Sequence, residues 1–219
     1  MIERLLTSRV VAVEAFDDNL PAPLFPEEEA LVANAVGKRR REFATARRCA
    51  REALAGLGLP PVAVPSGPKR EPVWPIRVRG SITHCDGYRA AAVAWSADLL
   101  TVGIDAEPDQ PLPAGVLDAV ALPEEVRALA ELAAADGSVN WDRLLFCAKE
   151  AVYKAWFPLT RRWLDFHEAR VEIQPTAATF TATLLVPGPR VDGGPLTGFT
   201  GRWLAERGLL VTAIGLPAT

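Results

Sequence analysis

A chain of 219 residues is long enough for one large domain or two lobes of about 100 residues each, and 49% apolar residues supply a substantial core. With 24 basic and 27 acidic residues the net charge is −3, which excludes the strongly basic kind of nucleic-acid binder. Cys49, Cys85 and Cys147 are spaced for neither a zinc site nor a disulfide framework, no secretion-signal layout opens the chain, and no apolar run approaches the roughly 18 residues of a membrane span, so a cytoplasmic protein is expected.

The first predicted element is a strand over residues 8–16, carrying Val10-Val11-Ala12-Val13. Pro26-Glu27-Glu28-Glu29 opens a helix with acids in its first turn, where the helix dipole favours them. A second helix is predicted over 38–57, from Phe43, Ala46, Ala50, Ala53, Leu54 and Leu57 at three-to-four spacing, and Gly58 with Pro60-Pro61 stops it. Short strands are predicted at 81–85, 90–95 and 101–107. Pro108, Pro111 and Pro113 then mark a connection, which divides the chain into lobes of residues 1–108 and 109–219. Pro123-Glu124-Glu125 opens another helix much as Pro26-Glu27-Glu28 does, a sign of internal duplication. A strong helix over 141–157 buries Leu144, Leu145, Ala148, Ala151, Val152 and Ala155, and strands follow at 169–174, 179–186, 199–206 and 210–216. The expected class is α+β, two similar lobes each with helices and a small, mostly antiparallel sheet.

Four constellations carry chemistry. In Val102-Gly103-Ile104-Asp105-Ala106-Glu107, strand alternation puts Asp105 and Glu107 on one face, about 7 Å apart, and Ile104 and Ala106 on the other. Such a pair repels unless a cation lies between, and all-oxygen ligation suits magnesium; a solvated sheet face is the plainer alternative. In Phe146-Cys147-Ala148-Lys149-Glu150-Ala151-Val152-Tyr153-Lys154, Glu150 and Lys154 are neighbours on one helix face. They form either a routine pair of roughly 0.2–0.5 kcal/mol or a site in which Glu150 is a third oxygen ligand or a base and Lys154 holds a phosphate. Lys149 lies about 100° round the helix and could reach the ligand from the side. His84 ends a strand in Ser81-Ile82-Thr83-His84-Cys85; a Ser–His hydrolase is set aside, since Ser81 and His84 fall on opposite faces and no G-x-S-x-G elbow exists. Finally, Arg39, Arg47 and Arg51 share a broad arc of the second helix, which is a solvated face or a binding stripe for several phosphates; single-stranded nucleic acid is disfavoured by the lack of interleaved aromatics.

In this order and spacing, Gly103-Ile104-Asp105-Ala106-Glu107 and Phe146 to Lys154 resemble the signature pair of the 4′-phosphopantetheinyl transferase superfamily. Arg39-Arg40-Arg41-Glu42-Phe43, Arg47-Arg48-Cys49-Ala50-Arg51, Arg70-Glu71-Pro72-Val73-Trp74-Pro75 and Ser81 to Cys85 are similar to its Sfp/EntD-type branch, and to the actinobacterial members within it. The resemblance implies a monomer of two pseudo-symmetric lobes with coenzyme A, the co-substrate, in the cleft between them. It implies Mg2+, or Mn2+ in its place, on Asp105, Glu107 and Glu150, with Glu150 and Lys154 catalytic. Arg39, Arg47 and His84 would hold the coenzyme's phosphates, and Lys149 and Lys154 its pyrophosphate region. Ser66 stands where a ligand-binding lysine is expected, which Lys69 or Arg70 would replace. The implied acceptors are acidic apo carrier proteins or domains of fatty acid, polyketide or non-ribosomal peptide synthases, siderophore assembly included. Rival classes are a non-catalytic coenzyme- or carrier-binding module and a magnesium-dependent phosphohydrolase.

Overall fold

Two large antiparallel sheets, a two-stranded ribbon and the helices laid on them build the chain, in a computed structural model that describes residues 1–218. A 3-10 turn (Ile2–Leu5) leads to β1 (Val11–Ala15), α1 (Pro26–Glu29) and the long α2 (Gly37–Gly56). Then come β2 (Val78–Cys85), β3 (Tyr88–Trp95) and β4 (Leu99–Pro108). The helices α3 (Val116–Val120), α4 (Pro123–Ala135) and α5 (Trp141–Thr160) follow. The chain ends with β5 (Ala169–Gln174), β6 (Thr179–Leu184), the short pair β7 (Arg190–Val191) and β8 (Gly194–Pro195), β9 (Gly198–Glu206) and β10 (Leu209–Pro217). The α+β class expected from the sequence is what is found.

The first sheet has the order β1-β3-β2 and the second β4-β10-β9-β6-β5. The chain therefore changes sheet between Trp95 and Leu99, and the strand carrying Asp105 and Glu107 belongs to the second sheet, against β10. α5 runs three residues beyond its predicted end, through Pro158. Proline has no N–H to give the Lys154 carbonyl, but one such loss near a C-terminus does not stop the helix, which ends at Arg161 in the left-handed region (φ 55°).

Three clusters hold the layers together. Cys49, Ala50, Ala53 and Leu54 of α2 pack on Val78, Ala91 and Val93. The opposite face of β3 (Ala90, Ala92, Ala94) meets Val102, Ile104 and Ala106 of β4 and Leu209, Val211 and Ala213 of β10. The largest cluster wraps α5, through Leu144, Leu145, Ala148, Val152 and Trp156, against Phe180, Trp203, Leu210 and Ile214. Because β3 is covered on both faces, Ala90 to Ala94 reads as an unbroken apolar run.

The hint of duplication has a structural counterpart. Glu28 is fully buried on α1: it accepts from the N–H groups of Phe25 (3.0 Å) and Val64 (2.9 Å) and pairs with Arg51 of α2 at 2.8 Å. Glu125 on α4 does the same with the N–H groups of Leu122 (2.7 Å) and Val171 (2.7 Å) and with Lys149 of α5 at 2.8 Å. In each half one buried acid satisfies two backbone donors and clips the short helix to the long one, at the cost of a paired charge inside the protein.

Candidate active site

The site begins with a glycine. On β4, Thr101, Gly103 and Asp105 face α5, and the Thr101 hydroxyl donates to the Ala155 carbonyl at 2.8 Å. A Cβ at Gly103 would strike the Ala151 carbonyl oxygen and lie 2.8 Å from the Ala155 nitrogen, so helix and strand backbones are nearly in contact. From the far side, Thr212 of β10 pairs with Asp105 in register and donates to the Cys147 carbonyl at 3.1 Å. This close approach brings Glu150 and Lys154 over Asp105.

Asp105 is only 5% exposed. Its Oδ1 accepts from the Lys154 ammonium at 2.7 Å and from the Thr83 hydroxyl at 3.1 Å; its Oδ2 is buried and has no hydrogen-bond partner. Glu107 lies on the same face and is held at 3.0 Å by Arg143, which also donates to the carbonyls of Gln110 and Pro111. Burial, and then the Asp105 charge, push the Glu107 carboxyl up, with Arg143 opposing. The same two causes, burial first and Asp105 second, push Glu150 up to about 7. Burial works against the Lys154 ammonium, but Asp105 and then Glu150 oppose it, and the net shift is upward.

Two carboxyls, Glu107 and Glu150, raised by burial and then by the Asp105 charge mark a place where positive charge is favoured. Among the described residues no three His, Cys, Asp or Glu side chains are gathered into a ready-made metal cluster, since Lys154 and Arg143 hold the two strand acids. The donor set nonetheless fits a hard divalent cation: it is all carboxylate oxygen, and one buried Asp105 oxygen has no other partner.

The basic groups fall into two sets. His84 accepts from Arg39 at 2.6 Å; burial first, then Arg39 and Lys154, hold its pKa down to about 4, so it is neutral near pH 7. His84 thus stands within reach of the charges of Arg39 on α2 and Lys154 on α5. Arg47 is 5% exposed, lies 4.3 Å above the Phe43 ring centre, donates to the Ser66 hydroxyl at 3.0 Å, and has an Nε with no partner. Among the described residues no carboxylate pairs with it, and burial lowers it to about 10. A buried guanidinium facing a neutral hydroxyl is a receptor for an anion. Arg51, by contrast, is used up by Glu28 and the Pro23 carbonyl.

Lys69 and Arg70 line a cavity of about 480 Å³ together with Trp74, Glu150, Tyr153 and Lys154. Lys149 is not brought to Asp105. It is 3% exposed, and its ammonium is spent on Glu125 and the carbonyls of Phe166 (2.7 Å) and Ala169 (3.0 Å). The expected sideways reach to a ligand gives way to this clip, because the ammonium's donors are taken by these three partners.

Thr83, Arg143 and Gly103 escape a reading of the sequence. Arg143 does carry a signal, standing seven residues before Glu150 and hence on the same stripe of α5.

Models of two family domains match the chain: the 4′-phosphopantetheinyl transferase N-terminal domain over residues 27–94, and the 4′-phosphopantetheinyl transferase superfamily over residues 101–190. The chain belongs to the 4′-phosphopantetheinyl transferase superfamily, and its enzyme class is phosphopantetheinyl transfer. Within that class it is 57% identical to the 4′-phosphopantetheinyl transferase Svp of Streptomyces mobaraensis over 221 residues, covering 100% of this chain and 90% of that protein. It is 52% identical to Npt of Nocardia iowensis (98% and 99% covered) and 47% identical to PptT of Mycobacterium tuberculosis (96% and 98% covered), both also 4′-phosphopantetheinyl transferases. Among the described residues no helix is long and apolar enough to cross a membrane.

Proposed function

We propose that the chain transfers the 4′-phosphopantetheine arm of coenzyme A to a serine of an apo carrier protein, with release of 3′,5′-ADP and with magnesium on Asp105, Glu107 and Glu150. The observation that carries this reading is the set of carboxylates on β4 and α5, in which the Asp105 charge opposes Glu107 and Glu150, with Glu150 and Lys154 lining the cavity. Magnesium bound there would draw charge from the phosphoryl oxygens under attack.

The protein's own groups do the rest. The acceptor serine Oγ bonds to the phosphorus as the bond from phosphorus to the ADP oxygen breaks, and Glu150 takes the serine proton. A cation beside Glu150 favours its carboxylate form, which is the form a base needs. Lys154 leaves Asp105 for the pyrophosphate and steadies the departing charge. Arg39, Arg47 and His84 hold the phosphates, with the 3′-phosphate on Arg47 and His84; neutral His84 gains a proton as the dianion arrives. Lys69 and Arg70 edge the cavity, and its Trp74, Tyr153 and Phe157 wall suits the pantetheine arm. The cleft would lie between the two lobes, in a cytoplasmic monomer.

Mass spectrometry of an apo carrier protein incubated with coenzyme A, with magnesium or with chelator, tests the reading. The carrier should gain one phosphopantetheine arm only when the metal is present. Phosphate release without a modified carrier would instead describe a hydrolase, and coenzyme binding alone a passive module.

If Arg47 meets the 3′-phosphate, Arg47→Ala raises the coenzyme's KM about 10- to 100-fold, a charge-assisted hydrogen bond's worth, and lowers kcat much less. Steady-state kinetics decide it, and an unchanged KM removes the contact.

The acidic carrier should meet a basic, partly apolar rim. Trp163 is 63% exposed, and Arg161 stands nearby, bonded to Glu71 at 3.4 Å across the cavity mouth. Reversing charge at Arg161 and Arg162 is expected to raise the carrier's KM about tenfold at low salt, with the coenzyme's KM unchanged. Equal carrier KM in variant and parent would dismiss that rim.

A further inference from the structure

The two sheets meet edge to edge at β2 and β4 without a backbone ladder between them. Two outward N–H groups of β4 are satisfied instead by hydroxyls of β2: Ser81 accepts from Ile104 at 3.1 Å and Thr83 from Ala106 at 3.1 Å. The two caps differ in one respect. Among the described residues Ser81 has no hydrogen bond to a carboxylate, whereas the Thr83 hydroxyl, having accepted from Ala106, donates its own proton to Asp105 Oδ1 at 3.1 Å.

We infer that Thr83 is a positioning residue for the transfer reaction: its hydroxyl, spanning the seam between the sheets, fixes Asp105 so that Oδ2 is the oxygen presented to the cation. This rests on the reading of Asp105 as a cation ligand. Asp105 Oδ1 has two donors, and they are not equivalent. The Lys154 side chain is long and 26% exposed, and the proposed mechanism takes its ammonium to the pyrophosphate. Thr83 is 2% exposed and β-branched on a strand, so its χ1 is restricted, and its oxygen is pinned by Ala106 N–H. Once Lys154 turns to the substrate, Thr83 is the donor that keeps Oδ1 in place and Oδ2 free. The hydroxyl belongs to the first sheet and the carboxylate to the second, so the same bond makes the cation site depend on how the sheets sit against each other.

Binding of Mn2+, followed by electron paramagnetic resonance at saturating coenzyme A, tests this without turnover. Partners that orient a ligand typically account for about 10- to 100-fold in metal affinity, and that loss is expected for Thr83→Val, with Thr83→Ser within about twofold of the parent. Ser81→Ala should lower the unfolding midpoint, as Thr83→Val does, yet bind Mn2+ like the parent. Asp105→Asn should lose Mn2+. If Thr83→Val does not fold, as judged by circular dichroism, Thr83→Ala carries the same comparison. Parent-like Mn2+ binding by the hydroxyl-free variant, with loss in Asp105→Asn, overturns the inference and leaves the site reading intact; so does a Thr83→Ser variant as weak as Thr83→Val. Retained Mn2+ affinity in Asp105→Asn removes the site reading and the inference with it.

Discussion

Glu150→Gln is expected to lose phosphopantetheine transfer by about 10²- to 10⁴-fold, the usual contribution of a positioned acid or base, and to be more stable than the parent above neutral pH. The second half follows from linkage. Burial and Asp105 raise the folded-state pKa of Glu150 from 4.5 to about 7. Below pH 4.5 the group is protonated in both folded and unfolded chains and contributes no pH dependence. Between 4.5 and 7 the unfolded chain ionises first, so stability falls as pH rises; above 7 the penalty is complete. The shift corresponds to at most about 3 kcal/mol, less after solvent screening of a half-buried side chain. Glutamine carries no charge and avoids the penalty. Denaturant unfolding should therefore show parent and variant close at pH 5 and separated by about 1–2 kcal/mol at pH 8, the variant being more stable. Transfer near the parental rate would remove Glu150 from the chemistry, and equal stability at pH 8 would show that its carboxylate is not held in opposition to Asp105.

That result would state the site's design in energetic terms. β4 carries two acids on the face it turns to α5, and α5 adds a third. Lys154 and Arg143 offset part of the repulsion, each bonded to one strand acid. What they leave, an Asp105 oxygen without a partner and a Glu150 held near neutrality, is unfavourable for folding alone and favourable once a cation binds. Arg47 is the same device with the sign reversed: a buried cation awaiting an anion. Local cost of this kind collects where a protein binds and reacts, and is tolerated because the core of α5 is otherwise well packed.

The parts legible in the sequence were those set by short-range periodicity. Strand alternation places Asp105 and Glu107 together, and the helical repeat places Glu150 above Lys154 and predicts the buried stripe of α5. The illegible parts depend on contacts far apart in the chain. Nothing local says that β4 leaves its hairpin partner's sheet to pair with β10, so the sheet boundary falls before Leu99 while the prolines draw the eye to Pro108. Lys149 stands beside Glu150 in sequence, but its direction is decided by Glu125, and the isolation of Arg47 depends on Arg51 having taken Glu28. The five-residue α3 is too short for a periodic signal. Thr83 reads as an ordinary strand threonine until the seam between the sheets is seen.

Gly103→Ala is expected to be the most damaging single-methyl change in the site, destabilising the protein by about 1–3 kcal/mol and removing most of the transfer activity. Two effects compete. Alanine is favoured over glycine in a strand interior by roughly 0.5–1 kcal/mol, through lower entropy in the unfolded chain. Against that, the new methyl meets the Ala151 carbonyl oxygen and the Ala155 nitrogen, which are backbone atoms of α5 and cannot rotate away. Relief requires α5 to move off β4, and α5 carries Glu150 and Lys154 with it. Gly215→Ala on β10 separates the two effects. There the added methyl comes no nearer than 3.7 Å, to a Leu99 side chain, so the propensity gain should stand and activity should survive. Thermal midpoints and transfer rates of the two variants, measured side by side, decide it. If Gly103→Ala melts and turns over like Gly215→Ala, the spacing between strand and helix is not what assembles the carboxylates. If Gly103→Ala alone loses both, that spacing is the element on which the cation, the base and the phosphate contact all depend.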